Sequence, residues 1–307
     1  MRALLAFLCF WAASGPGPVT VEVLGNLPAQ GKLSALTADA RGTLYGAGGG
    51  VVVRLAPGQL PDVLASEQIG GMHGFDARFR DPMGIAVDAR GLVYVTDTGE
   101  NVVDLIGPDG RVTAFVGPLR EGNRGAGYVD AAGVNARFSQ PTGAAIAPDG
   151  SLYVADAGNH AIRRVTLDAV RAVTTVVGGR RDGIEDGALG SARLSAPSYM
   201  AFGPRGVLTF VDDDGGTVFL RQLKEGSVST LARSASRADP LVGIKGLAVD
   251  GAGRIFVVSR GQLFWLDWGQ LKPLADVPDA RMPAFNADGR LCFAAGGQLR
   301  AAYFKKP

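Results

Sequence analysis

The sequence has very few of the side chains that build disulfides and metal centres. Its 307 residues include two cysteines, Cys9 and Cys292, and two histidines, His73 and His160. Cys9 falls in an N-terminal segment that we expect to be removed, which leaves Cys292 alone in an apolar run. One thiol can form neither an intramolecular disulfide nor a cysteine metal site. Two histidines also exclude a three-histidine zinc centre within this chain.

The chain also lacks an excess of charge and a long hydrophobic run. The formal net charge is +2, and the basic residues are scattered singly along the sequence. Since a phosphate backbone is bound by clustered Lys and Arg, we expect no nucleic-acid partner. No apolar stretch reaches the roughly 20 residues that span a bilayer, so we expect no membrane insertion.

The N-terminus carries the features of an export signal. Arg2 supplies a positive start, the segment that follows is apolar up to Ala13, and Ala12 and Ser14 are small residues at the spacing that a signal peptidase accepts. We expect residues 1–14 to be a signal peptide and the mature protein to be secreted or periplasmic. A misassigned start codon is the alternative.

What the sequence does contain is a repeat of short apolar runs separated by glycine-marked turns. The 45 glycines, 17 prolines and 47% hydrophobic residues favour many short strands over disorder. Pairs of runs rich in Val, Ile, Tyr and Phe flank each turn, which is typical of β-hairpins. The marking glycines, spaced 36 to 59 residues apart, are Gly42, Gly91, Gly150, Gly206, Gly253 and Gly289.

Most copies continue with a third and a fourth run, such as residues 161–165 and 173–177 in the third copy. Four antiparallel strands in each of six copies predict an all-β, six-bladed β-propeller that occupies residues 19–304 as a single domain. The sixth copy lacks a fourth run, and residues 19–24 resemble the fourth runs of other copies. We expect this N-terminal strand to complete the last blade and hide two open sheet edges.

The repeat resembles the NHL family. The third copy carries the segments 136–141, 152–163 and 173–178, which are close to an ideal NHL repeat, and the second and fourth copies match less fully. The resemblance implies a six-bladed propeller but no single activity, because a fold hosts many functions. NHL-like propellers include protein- and RNA-binding modules, a peptide-amidating lyase and gluconolactonase-like hydrolases.

Two charged positions recur in the three best copies, and one histidine lies off the repeat. The recurring residues are Arg78, Arg137 and Arg193, together with Asp97, Asp156 and Asp212, and the histidine is His73. One interpretation is a ring of charge at one mouth of the central channel that binds an anionic or polar ligand. The other, which repetition favours, is that each Arg braces a neighbouring Asp or the carbonyls of its loop. His160 is expected to hydrogen-bond within its hairpin.

Catalytic and metal-binding motifs are sparse. Gluconolactonase-like propellers hold a divalent cation with Glu, Asn and Asp side chains of the channel, whereas the inner runs here supply little beyond Asn286. The clusters at 212–216 and 182–187 could offer oxygens to calcium, but neither has the spacing of a known calcium loop. Asp-Gly richness is also what turn geometry selects, so we expect no cofactor.

These observations favour a binding module over an enzyme. We expect the long loops 66–83, 117–142 and 178–198 to emerge on one face, with Phe75 and Tyr128 as exposed aromatics, and to bind a protein, peptide or glycan. The alternative is a metal-dependent, lactonase-like hydrolase or lyase with its site at the central channel mouth. The histidine count argues against a zinc-dependent amidating lyase.

Overall fold

The computed structural model describes residues 19–27, 33–66, 79–118, 125–179 and 181–304. They form six antiparallel sheets, and the predicted all-β, six-bladed β-propeller is confirmed. The strands of the first half are β1 (Val19–Asn26), β2 (Ala35–Ala38), β3 (Leu44–Gly48), β4 (Val51–Leu55), β5 (Asp62–Ser66), β6 (Pro82–Val87), β7 (Val93–Asp97), β8 (Val102–Ile106), β9 (Val112–Val116), β10 (Pro141–Ile146), β11 (Leu152–Asp156), β12 (Ala161–Val165) and β13 (Val173–Gly178).

The second half continues in the same rhythm. Its strands are β14 (Gly187–Ala188), β15 (Ala196–Phe202), β16 (Leu208–Asp213), β17 (Val218–Lys224), β18 (Ser227–Arg233), β19 (Ile244–Val249), β20 (Ile255–Ser259), β21 (Gln262–Asp267), β22 (Gln270–Asp276), β23 (Arg281–Phe285), β24 (Leu291–Ala295) and β25 (Gln298–Phe304). Short 3-10 turns lie at Gly133–Asn135, Ala157–Asn159 and Pro204–Gly206. The two-residue strand β14 adds a fifth, unpredicted strand to the fourth blade.

The hairpin between the first two strands of a blade is held by one recurring side chain. In the second blade Asp88 Oδ1 accepts hydrogen bonds from the backbone N–H groups of Arg90 and Leu92 at 2.9 and 3.0 Å. Asp39, Asp250 and Asn286 do the same in their blades. These oxygens satisfy turn donors, which explains why Asp and Asn recur there.

The six inner strands β2, β6, β10, β15, β19 and β23 contact one another in sequence, and β2 also contacts β23, so the ring is closed. The closure uses β1, which pairs antiparallel with β25 from Val19 opposite Phe304 to Asn26 opposite Gln298. The predicted completion of the last blade by residues 19–24 is therefore confirmed. The pairing gives the outer edge of β25 a partner, as the repeat required.

Apolar side chains between adjacent blades form the core. Clusters such as the one around Tyr94, Phe138 and Leu152 join the second blade to the third. Cys292 is fully buried beside Leu299, and burial raises the pKa of its thiol to about 12. The thiol is thus a neutral core side chain, as the sequence indicates.

Candidate functional site

One face of the ring gathers the loops between blades and the hairpins between second and third strands. Asn159 donates to the Gly127 carbonyl at 2.7 Å, and the Gly158 N–H donates to Ser139 O at 2.9 Å. We define the loop face as the inter-blade segments 125–140 and 181–195 with the hairpins 98–101 and 157–160. The opposite, hairpin face carries the turns at 39–42, 88–91, 204–206 and 224–227.

A buried arginine organises the segment 125–140. Arg163 on β12 has no exposed side-chain surface, and its Nη1 lies 2.6 Å from Asp156 Oδ2. Its Nη2 lies 2.6 Å from Asp130 Oδ1 and donates to the Val129 carbonyl at 2.9 Å. The guanidinium thus uses both arms of its fork, the arrangement that makes Arg–carboxylate contacts strong and directional.

The far side of Asp130 is anchored to the outer strand of the same blade. Its Oδ2 accepts from the Thr175 backbone N–H at 2.9 Å, and its Oδ1 accepts from the Thr175 hydroxyl at 3.0 Å. The inter-blade loop is therefore attached to β11, β12 and β13 at once.

The fourth blade repeats the arrangement atom for atom. Arg221 is equally buried, with Nη1 2.8 Å from Asp212 Oδ2 and Nη2 2.9 Å from Asp186 Oδ1. Asp186 accepts from the backbone N–H and hydroxyl of Thr230 at 2.8 and 3.0 Å. The pKa of Asp186 is lowered, since the hydrogen bonds from Arg221 and Thr230 outweigh the effect of burial. The segment 181–195 is fixed in the same way as 125–140.

The predicted aspartates thus have structural partners, and they are not exposed at a channel mouth. Asp156 and Asp212 are fully buried, and this burial raises the pKa of both carboxyls against the hydrogen bonds they accept. Asp97 is also buried, and its oxygens accept from the backbone N–H groups of Arg80 and Asp81 at 2.9 and 3.0 Å.

Of the predicted arginines, Arg137 and Arg193 are described, and their side chains pair with other groups than these aspartates. Arg137 Nη1 donates to the carbonyls of Val134 and Ala136, both at 2.7 Å, so it braces its own loop. Arg193 forms a half-exposed ion pair with Glu185 at 3.2 Å. Arg78 and His73 lie outside the described residues, as do Phe75 and the predicted signal peptide.

Sequence reasoning missed Arg163 and Arg221, although a signal was present. Asp130 and Asp186 stand 56 residues apart, as do Asp156 and Asp212. Arg163 and Arg221 each lie at the centre of the third strand of their blade, a few residues after Asp156 and Asp212. In the second blade the buried Asp104 stands opposite Val95, as Arg163 stands opposite Val154 in the third blade. The charge at this position of the third strand is therefore negative in the second blade and positive in the third.

Two further side chains differ from expectation. Nδ1 of His160 lies 2.6 Å from the Ser195 carbonyl of the next inter-blade loop, so the ring joins two blades and does not bond only within its hairpin. Tyr128 is half-buried, with its hydroxyl 3.0 Å from Thr175 Oγ1 and its ring 5.0 Å from the Arg163 guanidinium. The expectation of an exposed aromatic was wrong there, because the ring covers the buried ion pair.

The central channel is lined by one or more residues from each inner strand and encloses about 50 Å³. Its lining side chains are those of Ala35, Leu36, Met83, Ile85, Ala144, Tyr199, Met200, Leu247, Met282 and Pro283. Calcium takes hard oxygen ligands, and ordinary small-molecule sites enclose several hundred Å³. This lining therefore does not fit the divalent cation of the lactonase alternative.

One carboxylate in each of the two candidate calcium loops already accepts hydrogen bonds from the protein. Asp214 Oδ1 accepts from the N–H groups of Gly216 and Thr217 at 2.9 and 2.6 Å, and Asp186 bonds Arg221 as described. Across the described part of the chain, no group of three or more His, Cys, Asp and Glu side chains is placed to hold a metal ion. No helix in these ranges is long and apolar enough to cross a membrane.

Six antiparallel blades and a closed ring define the chain as a β-propeller. Residues 138–164 match the NHL repeat, so the chain carries an NHL repeat in its third blade, and the resemblance seen in the sequence is confirmed. NHL repeat-containing protein 2 of Gallus gallus is 32% identical over 126 residues, which is 40% of this chain and 16% of that protein. The chain covers 5 to 16% of the curated relatives' lengths.

Solved structures share the fold over nearly the whole chain. A gluconolactonase from Xanthomonas campestris superposes with a TM-score of 0.65 at 18% identity, covering 95% of this chain and 96% of its own. A streptogramin B lyase gives 0.60 at 14% identity, covering 94% and 98%. A chain of a nidogen/laminin complex gives 0.57 at 15% identity, covering 82% and 84%. At these identities the likeness concerns the fold alone.

Proposed function

We propose that this protein is an exported binding module whose loop face contacts a protein partner. The observation that carries the proposal is the fixing of the segments 125–140 and 181–195 by the buried arginines Arg163 and Arg221. A loop that is ordered before binding loses less conformational entropy in a complex, which increases affinity. The ion pair of Arg193 with Glu185 and the exposed carboxylate of Asp182 give this face polar contacts for a partner.

The shared fold with a chain of a protein–protein complex supports this use of a propeller. The lactonase and lyase neighbours support the alternative, a metal-dependent hydrolase or lyase with its site at the channel mouth. The channel described above offers a phenol, thioethers and aliphatic groups in a small volume. Because this chemistry suits neither a divalent cation nor a sugar-sized substrate, the binding role is the better supported of the two.

Site-specific photo-crosslinking tests the binding role with a matched pair of positions. A photoreactive phenylalanine analogue replaces Glu185 on the loop face or Glu225 on the hairpin face, both exposed glutamates. In medium or extract from the source cells, we expect a discrete adduct from position 185 and none from position 225. Equal adducts at both positions, or adducts from position 225 alone, would overturn the proposal.

Turnover assays test the alternative on the same purified protein. Glucono-δ-lactone hydrolysis and streptogramin B linearisation are measured with added Ca²⁺, Mg²⁺ or Zn²⁺ and again after chelation. We expect rates equal to the background without enzyme. A rate that depends on the protein and is abolished by chelation would replace the binding role by the enzymatic one.

A further inference from the structure

The inner strands break the symmetry of the repeat at one level of the channel. One position on each inner strand lies four residues before the residue that begins the first hairpin turn of the blade. In the six blades this position is occupied by Ala35, Gly84, Gly143, Tyr199, Gly246 and Met282. Tyr199 and Met282 have φ of 38° and 49°, a left-handed conformation that residues with a side chain rarely adopt. Such a conformation persists only where the surroundings impose it, and these cases concentrate at functional sites.

The residue before each of these lies one position nearer to the loop face, because every inner strand runs from the loop face towards the hairpin face. These six residues are Ser34, Met83, Thr142, Ser198, Lys245 and Arg281. We call them the mouth ring. It contains two cations, three hydroxyls and one thioether, so its formal charge is positive, whereas the whole chain is nearly neutral.

The two cations each come directly before a residue at which adjacent blades pack closely. A Cβ on Gly246 would lie 2.9 Å from Met282 Cα, so the backbones of β19 and β23 touch one residue below Lys245 and Arg281. Both side chains are exposed, and neither forms an ion pair with another described residue. Like charges repel, and an anion bound between two cations removes that repulsion.

Tyr199 lines the cavity together with Met282, the residue that follows Arg281. Burial raises the pKa of the Tyr199 phenol, and the charge of Arg281 opposes part of that rise. Tyr199 therefore stays protonated at neutral pH and can donate its O–H to an acceptor. Thr142 is fixed nearby, because its hydroxyl donates to the Pro197 carbonyl at 2.9 Å.

The geometry points to a carboxylate-binding site at the mouth ring, formed by Lys245 and Arg281 with the Tyr199 hydroxyl, that accepts an acidic side chain of a partner protein. The cavity of about 50 Å³ below it has room for the end of one side chain and not for a whole sugar. Arginine and a hydroxyl donor together match the two oxygens of a carboxylate. This inference rests on the proposed binding function and names the chemistry of the group that the partner inserts.

Fluorescence anisotropy with a labelled peptide of six glutamates tests the site. The matched variants are K245Q/R281Q at the mouth ring and R205Q/K224Q, which removes the same charge from the hairpin face. We expect binding at low salt that is weakened about tenfold or more by the first pair and less than about twofold by the second. A six-glutamine peptide should not bind.

Three results would overturn the site. These are equal binding of the six-glutamine peptide, equal losses in the two double variants, and no loss in K245Q/R281Q. Competition at constant ionic strength identifies the anion that the site prefers. Displacement of the labelled peptide by acetate supports a carboxylate site, and displacement by inorganic phosphate alone contradicts it. Thermal melts of both variants confirm that they fold.

The crosslinking experiment separates this inference from the proposed function. If Glu185 still gives its adduct in a K245Q/R281Q background and the peptide does not bind, the carboxylate site fails while the binding face stands. If the peptide binds through Lys245 and Arg281 but no adduct forms at position 185, the site stands while the binding face fails.

Discussion

Arg163 Nη1 lies 2.6 Å from Asp156 Oδ2, and neither side chain has any surface exposed to solvent. Removing two charges from water costs several kcal/mol per ion, which is recovered only if the geometry and the surrounding hydrogen bonds are good. Here Asp130 pairs with the guanidinium, and Asn159 and the Ser139 N–H donate to the Asp156 carboxylate. Such a pair specifies one loop arrangement, because any other arrangement leaves a buried charge without its partner.

Replacing Arg163 by leucine should therefore be severely destabilising. We expect a loss of about 3–5 kcal/mol in the free energy of unfolding, because Asp156 is left buried and uncompensated. The matched Arg137→Leu should cost less than about 1 kcal/mol, since that side chain is only half-buried and bonds carbonyls of its own loop. Urea unfolding gives both values, and hydrogen exchange should show faster opening of residues 125–140 in the first variant. Equal costs would contradict the assignment of Arg163 as the anchor.

The strand pattern and glycine spacing were sufficient to predict the fold, including the closure by β1. That closure was predictable because residues 19–24 repeat the alternation of other outer strands, and the last copy lacked one. The arginine anchors were not predicted, since arginine is a residue type that is mostly exposed on strands as elsewhere. The equal spacing of Asp130 and Asp186 marks a recurring position, but their bonds to Arg163 and Arg221 are visible only in the structure.

The mouth ring could not be predicted from the sequence for a different reason. Lys245 and Arg281 stand in blades that keep the strand rhythm but not the NHL motif. The position of these two residues relative to each other depends on the packing of Gly246 against Met282, which is a contact between two blades. The local repeat carries no information on such contacts, whereas the recurring aspartates Asp97, Asp156 and Asp212 are buried and hydrogen-bonded within their blades.

Truncation tests the closure by β1. A chain that starts at residue 18 should fold like the full protein, because it keeps the whole of β1. A chain that starts at residue 27 leaves the edge of β25 unpaired, and we expect a melting temperature lower by roughly 10 °C or more together with aggregation. Thermal unfolding and light scattering provide the comparison. Equal melting temperatures for the two chains would contradict the contribution of β1 to stability.

Gly246 tests the close contact below the mouth ring. It has φ of 145°, and an added Cβ would lie 2.7 Å from Pro283 Cδ and 2.9 Å from Met282 Cα. Gly246→Ala should cost about 1–3 kcal/mol through crowding and backbone strain. Gly190 has open space around it and serves as the control; Gly190→Ala should be neutral or slightly stabilising. If denaturant unfolding gave Gly246→Ala the stability of the control, β19 and β23 could not be in the contact described.

Cys292 makes stability fall at alkaline pH. The folded thiol has a pKa of about 12, against an ordinary value of 9.0, because it is buried. Below pH 9 both states hold the proton and this group contributes no pH dependence. From pH 9 towards 12 the unfolded thiol loses its proton while the folded one keeps it, so unfolding is favoured by up to about 1.4 kcal/mol per pH unit. Urea unfolding between pH 8 and 10 should therefore show a steeper loss of stability in the native chain than in Cys292→Ala, and parallel profiles would contradict the buried neutral thiol.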